Sequence, residues 1–288
     1  MFVRLLEYKP RDVAVLVSYA LKSMGVDDAT GVDVERWVRL IVQNGYTSVL
    51  EHAVYTFEAV CSRVCTHQLV RHRIASYTQE SMRRSKAFVD EMVGELARKL
   101  ELEHDGSPRS AMAIVREALF EPKNMLPDIA TAVEKAFAVP PTVKEDHQKL
   151  YNYVASILQS VEKFYMLLDS GVPLEDARYV LPDSVKTRIV FTMNARELLE
   201  VFLPLRMCNR AQWEIRQLAW RVWELLNKVH PEIFSYAGPR CVLLDLRARK
   251  KPCTLEEYLK RTCTPTIERC PEGVKKHTIT TCILKAQL

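Results

Sequence analysis

The most informative stretch of the chain runs from residue 71 to residue 84 and reads RHRIASYTQESMRR. It holds four arginines, one histidine and two serines within fourteen positions. An arginine side chain binds phosphate and carboxylate groups well, because its planar guanidinium presents several donors in a fixed geometry. Serine hydroxyls add short-range donors, and a histidine adds a donor whose charge can change near neutral pH. The stretch therefore predicts a site for one or more anionic ligands.

The same composition is also typical of a solvated basic surface, since runs of charged residues usually face water. Two features favour a built site. An apolar segment leads into the stretch, and its charged residues are interleaved with residues that we expect to be partly buried, namely Ile74, Ala75, Tyr77 and Met82.

Length and composition indicate a globular protein. With 288 residues, of which 48% are hydrophobic and 27% charged, the chain can bury a substantial core as one large domain or two small ones. No stretch approaches the roughly 18 apolar residues of a membrane span. Charges interrupt the first ten residues at once, unlike a secretory signal. We therefore expect a cytoplasmic protein without a membrane partner.

Positive charge is concentrated near the C-terminus. The net charge is +5, and residues 236–288 hold eleven Lys and Arg against five Asp and Glu. A basic segment can bind nucleic acid. It can equally be solvated or face another subunit, and we favour this second interpretation.

Cysteine and glycine usage limits the kinds of ligand site. Five of the eight cysteines lie in the basic C-terminal segment, and none forms a Cys-x-x-Cys pair, so no metal site is predicted. Disulfide bonds, which occur inside hyperthermophile cells, and free thiols both stay open as alternatives. Only eight glycines are present and no glycine-rich phosphate loop occurs. Side chains and helix ends would therefore have to hold any nucleotide phosphate.

Hydrophobic periodicity predicts a mixture of strands and helices. The predicted strands are 2–8, 54–60 and 187–193. The predicted helices are 10–22, 33–42, 62–72, 151–168, one that begins at 174, and 197–229 with a break near Pro204. The proline-containing residues 104–146 are expected to form surface excursions and short helices. On the helix predicted from Ser62, Gln68 would share a face with Arg71 and His72.

The spacing in the central stretch resembles that of a known family. Arg-His-Arg, seven residues, Ser, one residue and Arg is the signature of the flavin-dependent thymidylate synthases, and Arg71-His72-Arg73, Ser81 and Arg83 fill it. Three further segments are similar to the same family in the same order. They are Asn44–His52, Asp176–Pro182 and the pair Asn194–Leu198 with Leu205–Ile215. The resemblance covers about residues 45–216.

The resemblance implies two sets of ligand-binding residues. The FAD-binding set is Ser48, Glu51, Arg71, His72, Arg73, Ile74, Asn194 and Arg196. The dUMP-binding set is Gln68, Gln79, Glu80, Ser81, Met82, Arg83, Arg178 and Arg206. Within the second set, Arg178 would reach the dUMP of a neighbouring subunit. Arg206 is the catalytic candidate, because a guanidinium can stabilise negative charge that develops on the uracil ring.

The chain departs from the family pattern at four positions. Tyr46 stands where members often have His, Gln79 where some have Glu, and Arg84 where many have Tyr. Between Asn194 and Arg206 the chain is one residue longer than some relatives, so that a flavin-side Asn or His would fall near Glu200. No role is carried over to Glu200.

The resemblance also implies a fold and a reaction. The fold is α+β, with helices packed on an antiparallel β-sheet, in a homotetramer with shared active sites. Residues 1–235 would form the synthase domain and residues 236–288 a basic, cysteine-containing C-terminal extension. The reaction would be reductive methylation of dUMP to dTMP, with methylenetetrahydrofolate as carbon donor and FAD that is reduced by NADPH.

Neither a cysteine nor a serine nucleophile is expected. No cysteine stands in the Pro-Cys-His setting of the cysteine-dependent thymidylate synthases, since Pro252-Cys253 is followed by Thr254. Ser81 is expected to contact dUMP, because an unactivated serine is a weak nucleophile. Two alternatives from other classes are a nucleic-acid-binding protein built on the basic stretches and a non-catalytic scaffold. We favour the enzyme and expect no nucleic-acid partner.

Overall fold

The computed structural model describes residues 1–120 and 125–287, which form two compact units. Unit 1 contains residues 1–59, residues 68–78 and the described chain from residue 190 onward. Unit 2 contains residues 60–67 and the described part of residues 79–189. None of the described helices is long and apolar enough to cross a membrane.

Within the described residues, four strands form one antiparallel sheet in the order β1-β2-β4-β3. The strands are β1 (Phe2–Lys9), β2 (Val54–Ser62), β3 (Ala75–Gln79) and β4 (Lys186–Asn194). The three predicted strands are confirmed as β1, β2 and β4. β3 was not predicted. Its five residues alternate between half-buried and exposed side chains, but they lie in the arginine-rich stretch, which we interpreted as a ligand-binding motif and not as a strand.

The remaining described structure is mostly helical, which confirms the predicted combination of helices with an antiparallel sheet. A 3-10 helix spans Thr47–His52, another spans Arg178–Val180, and a π-helical turn spans Leu198–Phe202. The α-helices, in chain order, are α1 (Ala14–Lys22), α2 (Val34–Asn44), α3 (Arg63–Leu69), α4 (Ala87–Lys99), α5 (Pro108–Phe120), α6 (Leu126–Ala136), α7 (Pro141–Lys144), α8 (His147–Asp169), α9 (Leu174–Ala177), α10 (Ala195–Glu197), α11 (Leu203–Arg206), α12 (Trp213–Val229), α13 (Pro231–Phe234), α14 (Arg240–Ala248), α15 (Leu255–Leu259) and α16 (Lys276–Gln287).

Local capping explains why α2 was predicted well. The Asp33 carboxylate accepts a hydrogen bond from the Arg36 backbone N–H at 3.0 Å, which satisfies a free donor of the first turn. Gly45 follows the last turn with a φ of 77°, a left-handed conformation that favours glycine. The turn after α2 therefore delivers the chain to the 3-10 helix that carries Ser48 and Glu51.

The prediction for residues 104–146 was wrong in one respect, because two full helices there build the core of unit 2. Buried side chains of α5 and α6 pack with α4 and α8, and they include Ile114, Val115, Ile129 and Val133. Pro108 and Pro127 stand in the first turns of α5 and α6, where the missing N–H has no helical partner to lose. Proline therefore marked helix starts in this segment rather than surface excursions.

Three predicted helix boundaries are also corrected. α1 begins at Ala14 rather than Pro10, because the Asp12 carboxylate binds the Ala14 N–H at 2.8 Å. α3 ends at Leu69, so Gln68 does not share a helical face with Arg71 and His72. Pro204 stands in the first turn of α11, and the helical break lies after Arg206.

The described residues after 235, which we predict to form a C-terminal extension, fall in unit 1. Gln43 of α2 donates to the Arg249 carbonyl at 2.5 Å, and α14 packs on α2 and α11. Asp245 is buried, with 1% of its surface exposed. Its carboxylate accepts hydrogen bonds from Arg249, Tyr258 and Thr266. Both alternatives left open for the cysteines of this segment occur. A disulfide joins Cys253 to Cys263, and Cys241, Cys270 and Cys282 are free thiols.

Candidate active site

A buried network around His72 forms the centre of the site in unit 1. His72 lies in the turn after α3, Glu197 on α10 and Arg206 at the end of α11. Arg206 Nε donates to His72 Nε2 at 3.0 Å, and Arg206 Nη2 donates to the Gln68 carbonyl at 3.1 Å. Because Nε2 accepts, the imidazole proton is on Nδ1, which donates to Glu197 Oε1 at 3.2 Å. The network fixes the tautomer of His72 and the orientation of Arg206.

Electrostatics keep His72 neutral. The residue is only 4% exposed. Burial, helped by the positive charge of Arg206, lowers the pKa of His72 to about 4. Burial also raises the pKa of the Glu197 carboxyl above its usual range. The predicted charge change near neutral pH is wrong for His72, because its ring is desolvated and lies beside the fixed cation of Arg206.

The turn that carries the motif arginines is held from β3. The Tyr77 hydroxyl lies 2.8 Å from the Leu69 carbonyl oxygen and 2.7 Å from that of His72. Phe202 contacts the His72 ring edge-on, with ring centroids 5.1 Å apart. The side chains of Arg71, Arg73 and Ile74 are exposed. Ile74 is 65% exposed, so the prediction that it is partly buried is wrong.

A second group of predicted FAD residues forms an ion-pair cluster in unit 1. Arg196 Nη1 pairs with Glu51 Oε1 at 2.5 Å, and Arg196 Nε lies 3.4 Å from Glu200 Oε2. Ser48 is exposed on the 3-10 helix. Asn194 caps α10, since its Oδ1 accepts from the Glu197 N–H at 2.8 Å. The structure therefore brings Glu51 and Arg196 together, and it uses the Asn194 side-chain oxygen to start α10.

A π-helical turn lies between Asn194 and Arg206, the interval in which the family resemblance predicts one extra residue. A turn with i→i+5 hydrogen bonds holds one residue more than an α-helical turn. Leu198–Phe202 forms such a turn, and it contains Glu200. The Glu200 carboxylate accepts from the Thr47 hydroxyl at 2.8 Å and thus joins the cluster of Glu51 and Arg196.

Most of the predicted dUMP residues lie in unit 2, directly after β3. The Gln79 amide lies 3.3 Å from the Thr66 hydroxyl and 3.4 Å from that of Thr187. The Glu80 backbone N–H donates to the Arg188 carbonyl at 2.8 Å, and the Ser85 hydroxyl donates to the Glu80 carboxylate at 2.5 Å. These bonds fix the start of the segment that carries Ser81, Met82 and Arg83. The Met82 side chain packs against the apolar core of unit 2.

Arg83 and Arg178 meet at one glutamate. Arg83 Nε pairs with the Glu175 carboxylate at 2.9 Å, and Arg178 Nε donates to the Glu175 carbonyl at 2.8 Å. The Ser81 hydroxyl accepts from the Arg83 backbone N–H at 3.3 Å. Arg83 keeps 63% of its side chain exposed. Two guanidinium groups and a hydroxyl at one surface can bind a phosphate.

Sequence reasoning missed Glu197 and Glu175. Glu197 follows Asn194 by three residues, a spacing typical of a capped helix start, and this pattern could have drawn attention to it. Residues 1–120 and 125–287 contain no group of three or more His, Cys, Asp or Glu side chains that could hold a metal ion.

Four free cysteines line one cavity in unit 1, namely Cys208, Cys241, Cys270 and Cys282. Burial raises the pKa of Cys241 to about 12 and also raises the pKa of Cys208. These two thiols are therefore protonated at neutral pH, and neither has the lowered pKa of an activated cysteine nucleophile.

Comparisons with known proteins agree with the motifs. The family described as "Thymidylate synthase complementing protein" matches residues 4–232. The flavin-dependent thymidylate synthase of Aeropyrum pernix is 40% identical over 303 residues, which cover 99% of this chain and 92% of the relative. That of Saccharolobus solfataricus is 40% identical over 264 residues, or 90% of this chain and 84% of the relative.

A solved structure shows the same similarity. The crystal structure of flavin-dependent thymidylate synthase from Helicobacter pylori, complexed with FAD and dUMP, matches with a TM-score of 0.59 and 25% identity. The match covers 83% of this chain and all (100%) of that chain. Because the family match and these two relatives cover most of the sequence, the chain belongs to the flavin-dependent thymidylate synthase family.

Proposed function

We propose that this protein converts dUMP to dTMP, with methylenetetrahydrofolate as carbon donor and with FAD that is reduced by NADPH. The observation that carries the proposal is the arrangement of Arg206, whose guanidinium is held by neutral His72 and the Gln68 carbonyl. A positive charge that is fixed in place before the reaction can stabilise negative charge as it develops on a substrate ring. Membership of the family, and an H. pylori relative crystallised with FAD and dUMP, support this assignment of the substrate and cofactor.

The exposed residues of unit 1 fit FAD chemically. Arg71 and Arg73 present guanidinium groups that suit a diphosphate, and Ile74 offers an exposed apolar side chain that suits a flavin ring. His72 would act through the turn that presents these side chains. Ser48, Glu51, Asn194 and Arg196 complete the proposed FAD set. When bound, FAD would supply the reducing equivalents for the reaction.

The proposed dUMP residues divide by chemistry. Arg83 and, from a neighbouring subunit, Arg178 would bind the phosphate, which would take the place of the Glu175 carboxylate that now pairs with Arg83. Gln68 and Arg206 would bind the uracil ring. The segment of Gln79, Glu80, Ser81 and Met82 would add contacts to the nucleotide, in part through backbone N–H groups. Together these contacts would hold the base in one orientation, which lowers the entropic cost of the reaction.

Residues of the His72 network would act on charge and not on protons. His72 accepts from Arg206, so the guanidinium keeps its full positive charge and one defined direction. The carboxylate of Glu197 holds the imidazole tautomer from the other side. In the proposed reaction, Arg206 is the catalytic residue, while His72 and Glu197 are positioning residues.

The proposed reaction uses no cysteine nucleophile. Cys253 and Cys263 are bonded to each other, and burial keeps Cys208 and Cys241 protonated. These properties are the opposite of those that activate a thiol.

We further propose a cytoplasmic homotetramer with shared active sites, in which Arg178 serves the dUMP of a neighbouring subunit. Mixed oligomers of inactive Arg178→Ala and inactive Arg206→Ala subunits should then regain part of the activity. Absence of activity in verified mixed oligomers would show that the sites are not shared in this way.

The function is tested by product analysis. The purified protein is incubated with dUMP, methylenetetrahydrofolate, NADPH and FAD, and dTMP is measured by chromatography. We expect dTMP in the complete mixture and none when FAD, NADPH or the folate is omitted. If no dTMP forms and neither FAD nor dUMP binds, the non-catalytic scaffold is correct instead.

A further inference from the structure

One residue of the C-terminal segment reaches the ion-pair cluster of unit 1. Arg247 lies on α14, fifteen residues beyond the end of the family match at residue 232. Its Nη2 atom pairs with Glu200 Oε1 at 2.6 Å. The side chains are 37% and 21% exposed, so the pair is only partly screened by water.

The charges in this cluster alternate along a row: Glu51, Arg196, Glu200 and Arg247. Arg196 already makes its shorter contact with Glu51, at 2.5 Å, and lies farther from Glu200, at 3.4 Å. Arg247 is therefore the closer of the two cations that pair with Glu200. Without Arg247 the row would carry one uncompensated negative charge.

The position of α14 places Arg247 over the turn after α2. A Cβ atom added at Gly45 would lie 3.5 Å from Arg247 Nη2, so the guanidinium covers the glycine that precedes Ser48 and Glu51. The hydrogen bond from Gln43 to the Arg249 carbonyl fixes the end of α14 on the same helix, α2. Arg247 therefore pairs with the segment that carries Arg196 and lies beside the turn that leads to Ser48 and Glu51.

We propose that Arg247 is a positioning residue of the FAD site, supplied by the C-terminal segment to neutralise Glu200. The inference rests on the proposed function, since it takes Glu51 and Arg196 to face the cofactor. FAD carries a negatively charged diphosphate, and a reduced flavin can carry a further negative charge. A carboxylate left without its cation beside such a ligand weakens binding, because like charges repel most strongly where water is partly excluded.

The test compares FAD affinity in four proteins by fluorescence titration. Arg247→Gln removes the charge and keeps a polar side chain with N–H donors, although that side chain is shorter. It should weaken FAD binding by about 3- to 10-fold, as expected for loss of a partly exposed ion pair. Arg247→Gln combined with Glu200→Gln removes both charges and should restore affinity to within about 2-fold of the wild type. Arg221→Gln is the matched control. It breaks a more exposed ion pair with Glu224 on α12 and should leave the FAD affinity unchanged.

The outcomes separate this inference from the proposed function. Unchanged FAD affinity in Arg247→Gln, or a loss that Glu200→Gln does not restore, would overturn the role of Arg247 while leaving the proposed function in place. A purely structural role would give such an unrestored loss. If the wild-type protein itself binds no FAD, the proposed function fails first and the inference fails with it.

Discussion

Arg206 Nε donates to Nε2 of His72 at 3.0 Å, and His72 is thereby fixed as a neutral acceptor. The relationship joins the catalytic candidate to the central residue of the Arg-His-Arg motif. It explains why a histidine stands between two exposed arginines, since its side chain points into unit 1 while theirs meet solvent. The motif thus combines ligand-facing arginines with a buried residue that orients a third arginine.

Replacing Arg206 with lysine should abolish most of the activity. A lysine ammonium is a single point that cannot hold His72 Nε2 and the Gln68 carbonyl with the geometry of the guanidinium. We expect dTMP turnover to fall by at least about 100-fold, as for other preorganised donors at a developing charge. Steady-state kinetics with saturating FAD measures this change. Arg221→Lys is the control, and turnover of Arg206→Lys within about 3-fold of the wild type would contradict the role of Arg206.

The stability of the protein should depend on pH through His72. The folded pKa of about 4 lies below the ordinary value of 6.5, so the folded state binds fewer protons than the unfolded state in this window. The free energy of unfolding should therefore fall as the pH is lowered from about 6.5 to about 4. A shift of this size corresponds to a loss on the order of 3 kcal/mol.

A comparison with His72→Asn isolates this effect, because asparagine keeps a donor for Glu197 and does not titrate. The raised pKa of Glu197 has the opposite effect on the free energy of unfolding, which it increases as the pH falls, because the folded state takes up the proton of Glu197 more readily than the unfolded state does. That contribution is common to both proteins. Denaturant unfolding at pH 7, 6 and 5 should show the stability advantage of the wild type shrinking toward low pH. A constant difference would mean that His72 has the same pKa in the folded and the unfolded protein.

Arg83 should bind the phosphate of dUMP. Because the loss of a charged hydrogen bond costs about 1.5–3 kcal/mol, Arg83→Ala should weaken dUMP binding by about 10- to 100-fold and leave FAD bound. Titration calorimetry measures both affinities. Arg84 is the next residue, is also exposed and is not assigned to a ligand, so Arg84→Ala is the matched control. Equal dUMP affinities of the two variants would exclude the phosphate role.

Ser81→Ala should keep measurable turnover. The Ser81 hydroxyl accepts from the Arg83 backbone N–H, which orients it as a contact and does not activate it as a nucleophile. We expect a loss of no more than about 10-fold in kcat/KM, the size of one neutral hydrogen bond. Complete loss of activity with intact binding of dUMP and FAD would indicate instead that Ser81 acts as a nucleophile.

Asp245 should be essential for the stability of the C-terminal segment. Burial alone would raise the pKa of this carboxyl, but hydrogen bonds from Thr266, Tyr258 and Arg249 outweigh burial and lower it. Asp245→Asn removes the charge that pairs with Arg249 and places an NH2 group among donors. We expect the free energy of unfolding to fall by about 3 kcal/mol. The exposed substitution Asp27→Asn should change it by less than about 0.5 kcal/mol, and an equal effect of both would contradict this account.

Periodic and capped elements could be predicted from sequence, since their signals are local. α2 has its aspartate cap and terminal glycine, and α8 has a long apolar face. β3 and the helices α5 and α6 were misjudged because a ligand motif or a proline dominated the local signal. The resemblance supplied the candidate residues, yet the burial of His72 depends on Glu197 and Arg206, which are more than 120 residues away. The contact of Arg247 with Glu200 likewise depends on tertiary packing, to which no local pattern points.

The most direct test of the proposed reaction is release of tritium from dUMP labelled at carbon 5 of the uracil ring. The reaction contains methylenetetrahydrofolate, NADPH and the purified protein, with and without added FAD. Formation of dTMP replaces the hydrogen at that carbon, so we predict FAD-dependent release of tritium in step with dTMP. Absence of release, with no flavin bound to the protein, would contradict the account and direct attention to nucleic-acid binding by the basic C-terminal segment.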